Sequence, residues 1–192
     1  MIQSIYSVGC FIGLIGMSML SDMKGRKFTF LLSASVGVLG CLSIMLGGTL
    51  KNYKLLMIGQ VLQGISGSSF PIITYTFTGE VCSSKLRQKS IMLYCVIWGL
   101  SQMLFLVIYD YIKQWENYLW FMIVPGVLVC LIAFFILDES PSFWLLNQHN
   151  MEKFKNSIRY IGKFNGKSEA DIQEAYQMVE HYKATKKLSM RE

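Results

Sequence analysis

Five stretches of this chain contain no Asp, Glu, Lys, Arg or His: Ile2–Leu20, Phe28–Leu46, Leu55–Thr78, Ser90–Tyr109 and Tyr118–Leu137. Charged residues make up only 16% of the 192, against about a quarter in an ordinary soluble domain. Each uncharged run is close to the ~20 residues that a helix needs to cross a hydrocarbon core. Without water at that depth, a backbone must satisfy its own amides, so helices are required. Five in series exclude a soluble core. Ile2–Leu20 has no cationic n-region and ends in charge rather than in a small-residue cleavage site, which excludes a secretory signal. Titratable groups at membrane depth, the usual apparatus of proton coupling, are missing too.

Other absences narrow the function. The two histidines, His149 and His181, both fall beyond the last run. The five cysteines, Cys10, Cys41, Cys82, Cys95 and Cys130, have neither metal-ligand nor disulfide spacing and read as small packing residues. No nucleophile–base spacing or phosphate-cradling glycine loop is present, so neither an enzyme nor a bound cofactor or metal is expected. The net charge of +6 comes without an aromatic-interleaved basic face, which argues against nucleic acid as a partner.

The charge that is present is lopsided. The Met23–Lys27 turn, the Cys82–Lys89 connector and the tail after Leu137 hold 15 of the 18 Lys and Arg residues. Alternating spans put these segments on one side, with Lys51, Lys54 and Lys113 on the other. The positive-inside rule then places the tail in the cytosol or its equivalent, and the N-terminus outside.

The expected fold class is an all-α membrane protein: a transmembrane bundle over residues 1–137 and a cytosolic, amphipathic helical tail over 138–192. Small residues recur four apart at Gly9 and Gly13, Ser33 and Gly37, and Gly64 and Ser68, spacing that lets helices approach closely in lipid. Gln60, Gln63, Gly67, Pro71, Thr74 and Thr78 fall near one stripe of the third span, with Pro71 interrupting its hydrogen bonds. Tyr94, Trp98, Ser101 and Gln102 share a face of the fourth. Such stripes either line a cavity or bond to a neighbouring helix; Gln63, Tyr94, Trp98 and Gln102 are the cavity candidates. In the tail, Ser140-Pro141 opens one helix. Met151, Phe154, Ile158 and Ile161 give the apolar side of a second, which stops at Asn165-Gly166. Ser168 with Asp171 opens a third, with Ile172, Ala175, Val179 and Tyr182 as its apolar face.

Three motifs carry a resemblance. Ser21-Asp-Met-Lys-Gly-Arg-Lys27 resembles the cytoplasmic motif between the second and third helices of the major facilitator superfamily. Gly79-Glu80, followed by Lys85-Leu86-Arg87, looks like the Glu and Arg pair at the end of the fourth helix in organic-cation and sugar transporters. Asp138-Glu-Ser-Pro-Ser-Phe-Trp-Leu145 is similar to the segment that follows their sixth helix. The resemblance covers nearly the whole chain and is closest to the organic-cation branch. It implies half of a facilitator fold, aligned so that Ile2–Leu20 is the family's second helix, with the first helix and the second half outside this sequence. It implies a gate lattice of Asp22, Arg26, Lys27, Glu80, Arg87 and Glu139, in which Asp22 pairs with Arg26 or Arg87 or caps a helix, and Glu80 and Glu139 take Arg26 and Arg87. Ser18, Met23, Leu55, Ser83 and Ser142 depart from the family pattern. The implied function is transport of small organic ions or related solutes by a partial carrier, completed by its other half, a second copy or further subunits. The alternative is a facilitator-derived structural subunit of a larger membrane complex.

Overall fold

The computed structural model describes residues 2–82, 84–146, 151–170, 172–174, 176 and 177. Among them there are helices and no strands. The chain divides into two units, residues 1–140 and 141–192.

The first unit holds five helices: α1 (Ile2–Lys24), α2 (Arg26–Thr49), α3 (Tyr53–Val81), α4 (Ser84–Ile112) and α5 (Trp115–Ile136). All five are long and apolar enough to span a bilayer. Each uncharged run lies within one helix, except that Leu137 falls just past the end of α5, and the helices extend further into the flanking charge. α4 begins at Ser84 rather than Ser90, because Lys, Arg, Gln and Leu are good helix formers. The expected turn over Ser21–Lys27 contracts to a single residue. α1 runs on to Lys24 and α2 starts at Arg26, leaving only Gly25, at φ 104°. That conformation favours glycine. Pro71 lies inside α3, which continues unbroken around it.

The small residues explain why α3 sits between α1 and α2. A Cβ on Gly9 would overlap the backbone carbonyl of Val61, and one on Gly64 that of Tyr6. The Ser68 hydroxyl donates to the Cys10 carbonyl at 3.0 Å. On the opposite face of α3, Ser69 and Ser33 of α2 share a hydrogen bond of 2.7 Å. Both serines are fully buried. Apolar burial gives helices little reason to associate within lipid, so close backbone approach and such interhelical bonds carry the packing. α5 packs on α2. α4 is the outlier: none of its most apolar window is buried.

At the end opposite Gly25, short links reverse the chain. Lys51 takes a left-handed φ of 52°, and the N–H of Asn52 returns to the Gly47 carbonyl at 2.9 Å. The Asn52 side chain then caps α3 by accepting the Lys54 N–H at 3.1 Å.

In the second unit, α6 (Pro141–Leu146) and α7 (Met151–Phe164) pack together. Gly166, at φ 66°, ends α7, where the Lys167 N–H bonds the Gly162 carbonyl at 2.9 Å. Phe143, Phe154 and Ile172 are its buried apolar residues. His149, His181, Ser83, Asp171, Ala175, Val179 and Tyr182 lie outside the described residues.

Candidate functional site

The motif residues converge at one end of the first unit, where α1 stops, α2 starts and α3 and α5 stop. Arg26 is the hub, and only 11% of its side chain is exposed. Its Nη2 lies 3.0 Å from Glu80 Oε1, and its Nε donates to the same oxygen at 3.1 Å. Nη2 also lies 3.2 Å from Asp22 Oδ1, one turn earlier in the chain. Nη1 donates to the Ser21 carbonyl at 3.1 Å. The fixed fork of a guanidinium serves three acceptors at once, which a lysine ammonium would do poorly.

Glu139 does something the sequence did not suggest. The expectation gave it an arginine; among the described residues it pairs with no side-chain cation. Its Oε1 instead accepts the backbone N–H of Arg26 at 2.7 Å, and its carboxylate accepts that of Lys27 at 3.2 Å. These are the orphan donors of the first turn of α2, whose N-cap residue, Gly25, has no side chain to offer. The carboxylate also faces the positive end of the helix dipole. A side chain on Gly25 would collide with Glu139, so the glycine is needed for space as well as for φ.

Ser140 closes the circuit. Its N–H donates to Glu139 Oε1 at 3.1 Å, and its hydroxyl donates to Glu80 Oε2. The path from the Arg26 guanidinium through Glu80, Ser140 and Glu139 back to the Arg26 amide is therefore a ring of hydrogen bonds joining α2, α3 and the end of α5. Asp22 attaches α1 to it. Sequence reasoning missed this role of Ser140; its place directly after Glu139 in the third motif was the available signal.

Two expected members behave differently. Lys27 contributes its amide, while its ammonium lies 5.9 Å from the Phe134 ring centre. Arg87 is exposed on the first turns of α4 and forms no ion pair among the described residues. Of the two arginines, Glu80 pairs with Arg26 among the described residues.

The four cavity candidates do not all come together. Gln63 faces α2, donating to the Gly37 carbonyl at 3.0 Å and to Cys41 Sγ at 2.7 Å. It lines a cavity of about 480 Å³ between α2, α3 and α5, shared with Ser66, Tyr118 and Gly126. Tyr94 and Trp98 lie on α4. Tyr94 meets Tyr75 of α3 edge-on at 4.8 Å between ring centres, and Trp98 stacks on Tyr94 at 6.2 Å. The Tyr94 hydroxyl is buried beside Thr74 without a hydrogen bond among the described residues. Gln102 is exposed on α4. Tyr75 belongs to this aromatic group and was not singled out from the sequence.

Residues 1–192 match the family model described as sugar (and other) transporter. Solute carrier family 22 member 2 of Mus musculus is 29% identical over 170 residues, covering 86% of this chain and 29% of the mouse protein. Solute carrier family 22 member 1 of Oryctolagus cuniculus is 25% identical over 167 residues, again 86% of this chain and 29% of the rabbit protein. Vacuolar protein sorting-associated protein 73 of Saccharomyces cerevisiae is 30% identical over 165 residues, 82% of this chain and 32% of the yeast protein. The chain thus spans about a third of the length of these relatives. With five helices able to span a bilayer and a family match along its whole length, this integral, multi-pass membrane chain belongs to the sugar (and other) transporter family of the major facilitator superfamily.

Proposed function

We propose that the chain forms part of a facilitator-type carrier that moves small organic solutes, organic ions foremost, across a membrane. The observation that carries this reading is the ring around Arg26. It ties four helices together at one end of the bundle through hydrogen bonds and charges. Polar links of this kind can be exchanged for water or for other polar partners as that end opens. Packed glycine faces cannot be separated so easily. The ring therefore suits a gate that holds one state and releases it. Lys24, Lys27 and Arg87 at the same end support a cytosolic placement by the positive-inside rule, with the N-terminus outside. The missing complement would be the other half of a carrier, a second copy or a further subunit.

The substrate side rests on the Tyr75, Tyr94 and Trp98 group. Aromatic faces attract an organic cation within ~6 Å by their quadrupoles. Uptake of a labelled quaternary ammonium into vesicles carrying the protein with its native partners tests the proposal. Uptake above protein-free vesicles, reduced in Trp98→Ala, is expected. Uptake at the background level would remove transport and leave the structural-subunit reading.

A further inference from the structure

The second unit presents an unusual combination. α7 has a strongly amphipathic sequence, and such a helix beside a membrane span would ordinarily lie with its apolar face in the interface. Here that face is largely covered. Phe154 and Ser157 are buried, as are Phe143 of α6 and Ile172 of the following segment, while Met151, Ile158 and Ile161 are half-buried. Ile172 fills the space over Gly162 so closely that a Cβ there would overlap it. The Tyr176 hydroxyl is anchored to the Lys155 carbonyl at 2.6 Å.

What remains outward is mainly cationic, with Glu152, Tyr160, Glu169 and Glu174 exposed among the cations. Residues 151–170 contain five Lys and Arg against two carboxylates, Glu152 and Glu169. Lys155, Arg159 and Lys163 stand four apart, on one stripe of α7. Lys153 flanks them, its ammonium 4.5 Å from the Trp144 ring centre. Lys167 follows the helix end. All five are exposed. Glu169 shares Arg159 at 3.2 Å and Lys163 at 3.7 Å, with all three side chains more than half exposed. Exposed pairs of this kind are weak and readily exchanged. Only residues 137–140 separate α5 from α6, so the unit is tethered within a few residues of a membrane span.

We infer that the basic face of α7 is a docking surface for the anionic lipid headgroups of the leaflet on its own side. The attraction is electrostatic and not one of apolar insertion, because the apolar face is largely covered. Lipid phosphates and carboxylates replace Glu169 as partners of Arg159 and Lys163. The inference depends on the membrane topology alone and stands whether or not the chain transports anything.

The test is lysine acetylation footprinting of the whole protein in nanodiscs, read by mass spectrometry. Neutral phosphatidylcholine discs are compared with discs containing phosphatidylserine. Lys155 and Lys163 should react about fivefold more slowly in the anionic discs, the factor for one cation held near such a surface. Salt of about 1 M, which shortens the Debye length to ~3 Å, should restore the rate. Glu169→Gln should deepen the protection. Equal rates in both discs would overturn the inference. Protection that appears in neutral discs or survives salt would also overturn it, since that is the signature of apolar insertion.

Discussion

Glu139 accepts the backbone N–H of Arg26 at 2.7 Å across 113 residues of sequence. A helix usually finds its N-terminal acceptor in the residue just before it. At α2 that residue is Gly25, so the acceptor comes from the segment that follows α5, distant in sequence but at the same end of the bundle. One carboxylate thereby fixes the start of α2 relative to the end of α5, while the Arg26 side chain fixes α2 relative to α3.

Removing this carboxylate should be costly. Glu139→Ala leaves three amide donors, those of Arg26, Lys27 and Ser140, without their charged acceptor in a mostly buried position, and about 2–3 kcal/mol of stability should be lost. Glu139→Gln keeps an acceptor oxygen and should lose roughly half of that. Thermal unfolding in mild detergent reads both. An alanine variant that melts with the wild type would show that α2 does not rely on Glu139.

The two acidic partners of Arg26 should not weigh equally. The Glu80 side chain is 19% exposed and that of Asp22 72%. Breaking a largely buried pair costs about 3–5 kcal/mol, whereas an exposed one costs about 0–1. Glu80→Gln should therefore lower the melting temperature clearly and Asp22→Asn hardly at all. Equal losses would mean that Asp22 is shielded or that Glu80 is wetter than it looks.

Glycine substitutions separate packing from propensity. Gly64→Ala drives a methyl into the Tyr6 carbonyl, with a cost of about 1–3 kcal/mol. Gly16→Ala and Gly99→Ala meet nothing within 4 Å and should gain up to ~1 kcal/mol from helix propensity. The sign difference is the prediction. Destabilisation at all three positions would mean that α1 and α4 are covered by something on their open faces.

How far the sequence could be read follows from what each signal encodes. The absence of charge located the five spans, because hydropathy is a property of a run. It made the helices too short, because Ser21–Lys24 at the end of α1 and Ser84–Lys89 at the start of α4 are polar yet helical. The glycine and serine spacing marked faces that meet at the α1–α3 and α2–α3 crossings, since close approach requires small residues, but it did not say which helices pair. Arg26 with Glu80 was among the pairs considered, but Glu139 was assigned an arginine when its partners are backbone amides. Side-chain chemistry alone cannot foresee that, because the amides become available only once Gly25 makes α2 begin where it does. For Gln63 and Tyr94, polarity marks a face as unusual without saying which neighbour it meets: Gln63 lines the cavity between α2, α3 and α5, and Tyr94 meets Tyr75 of α3.

A buried hydrogen bond between two helices gives a smaller effect. Ser33→Ala removes the bond to Ser69 at the α2–α3 crossing, while the Ser69 hydroxyl keeps the Ile65 carbonyl at 2.6 Å, and should cost about 0.6–1 kcal/mol. The double variant Ser33→Ala with Ser69→Ala should lose little more than either single one. Additive losses would indicate two independent roles.

The central claim is that Arg26 and Glu80 act as one coupled unit within a closed ring. A double-mutant cycle with Arg26→Gln and Glu80→Gln, followed by thermal unfolding in detergent, tests it most directly. The account predicts that removing Arg26 costs at least ~1 kcal/mol less once Glu80 has been neutralised, within the range seen for residues in one network. Losses that simply add would contradict it and leave the two residues as neighbours without a shared function.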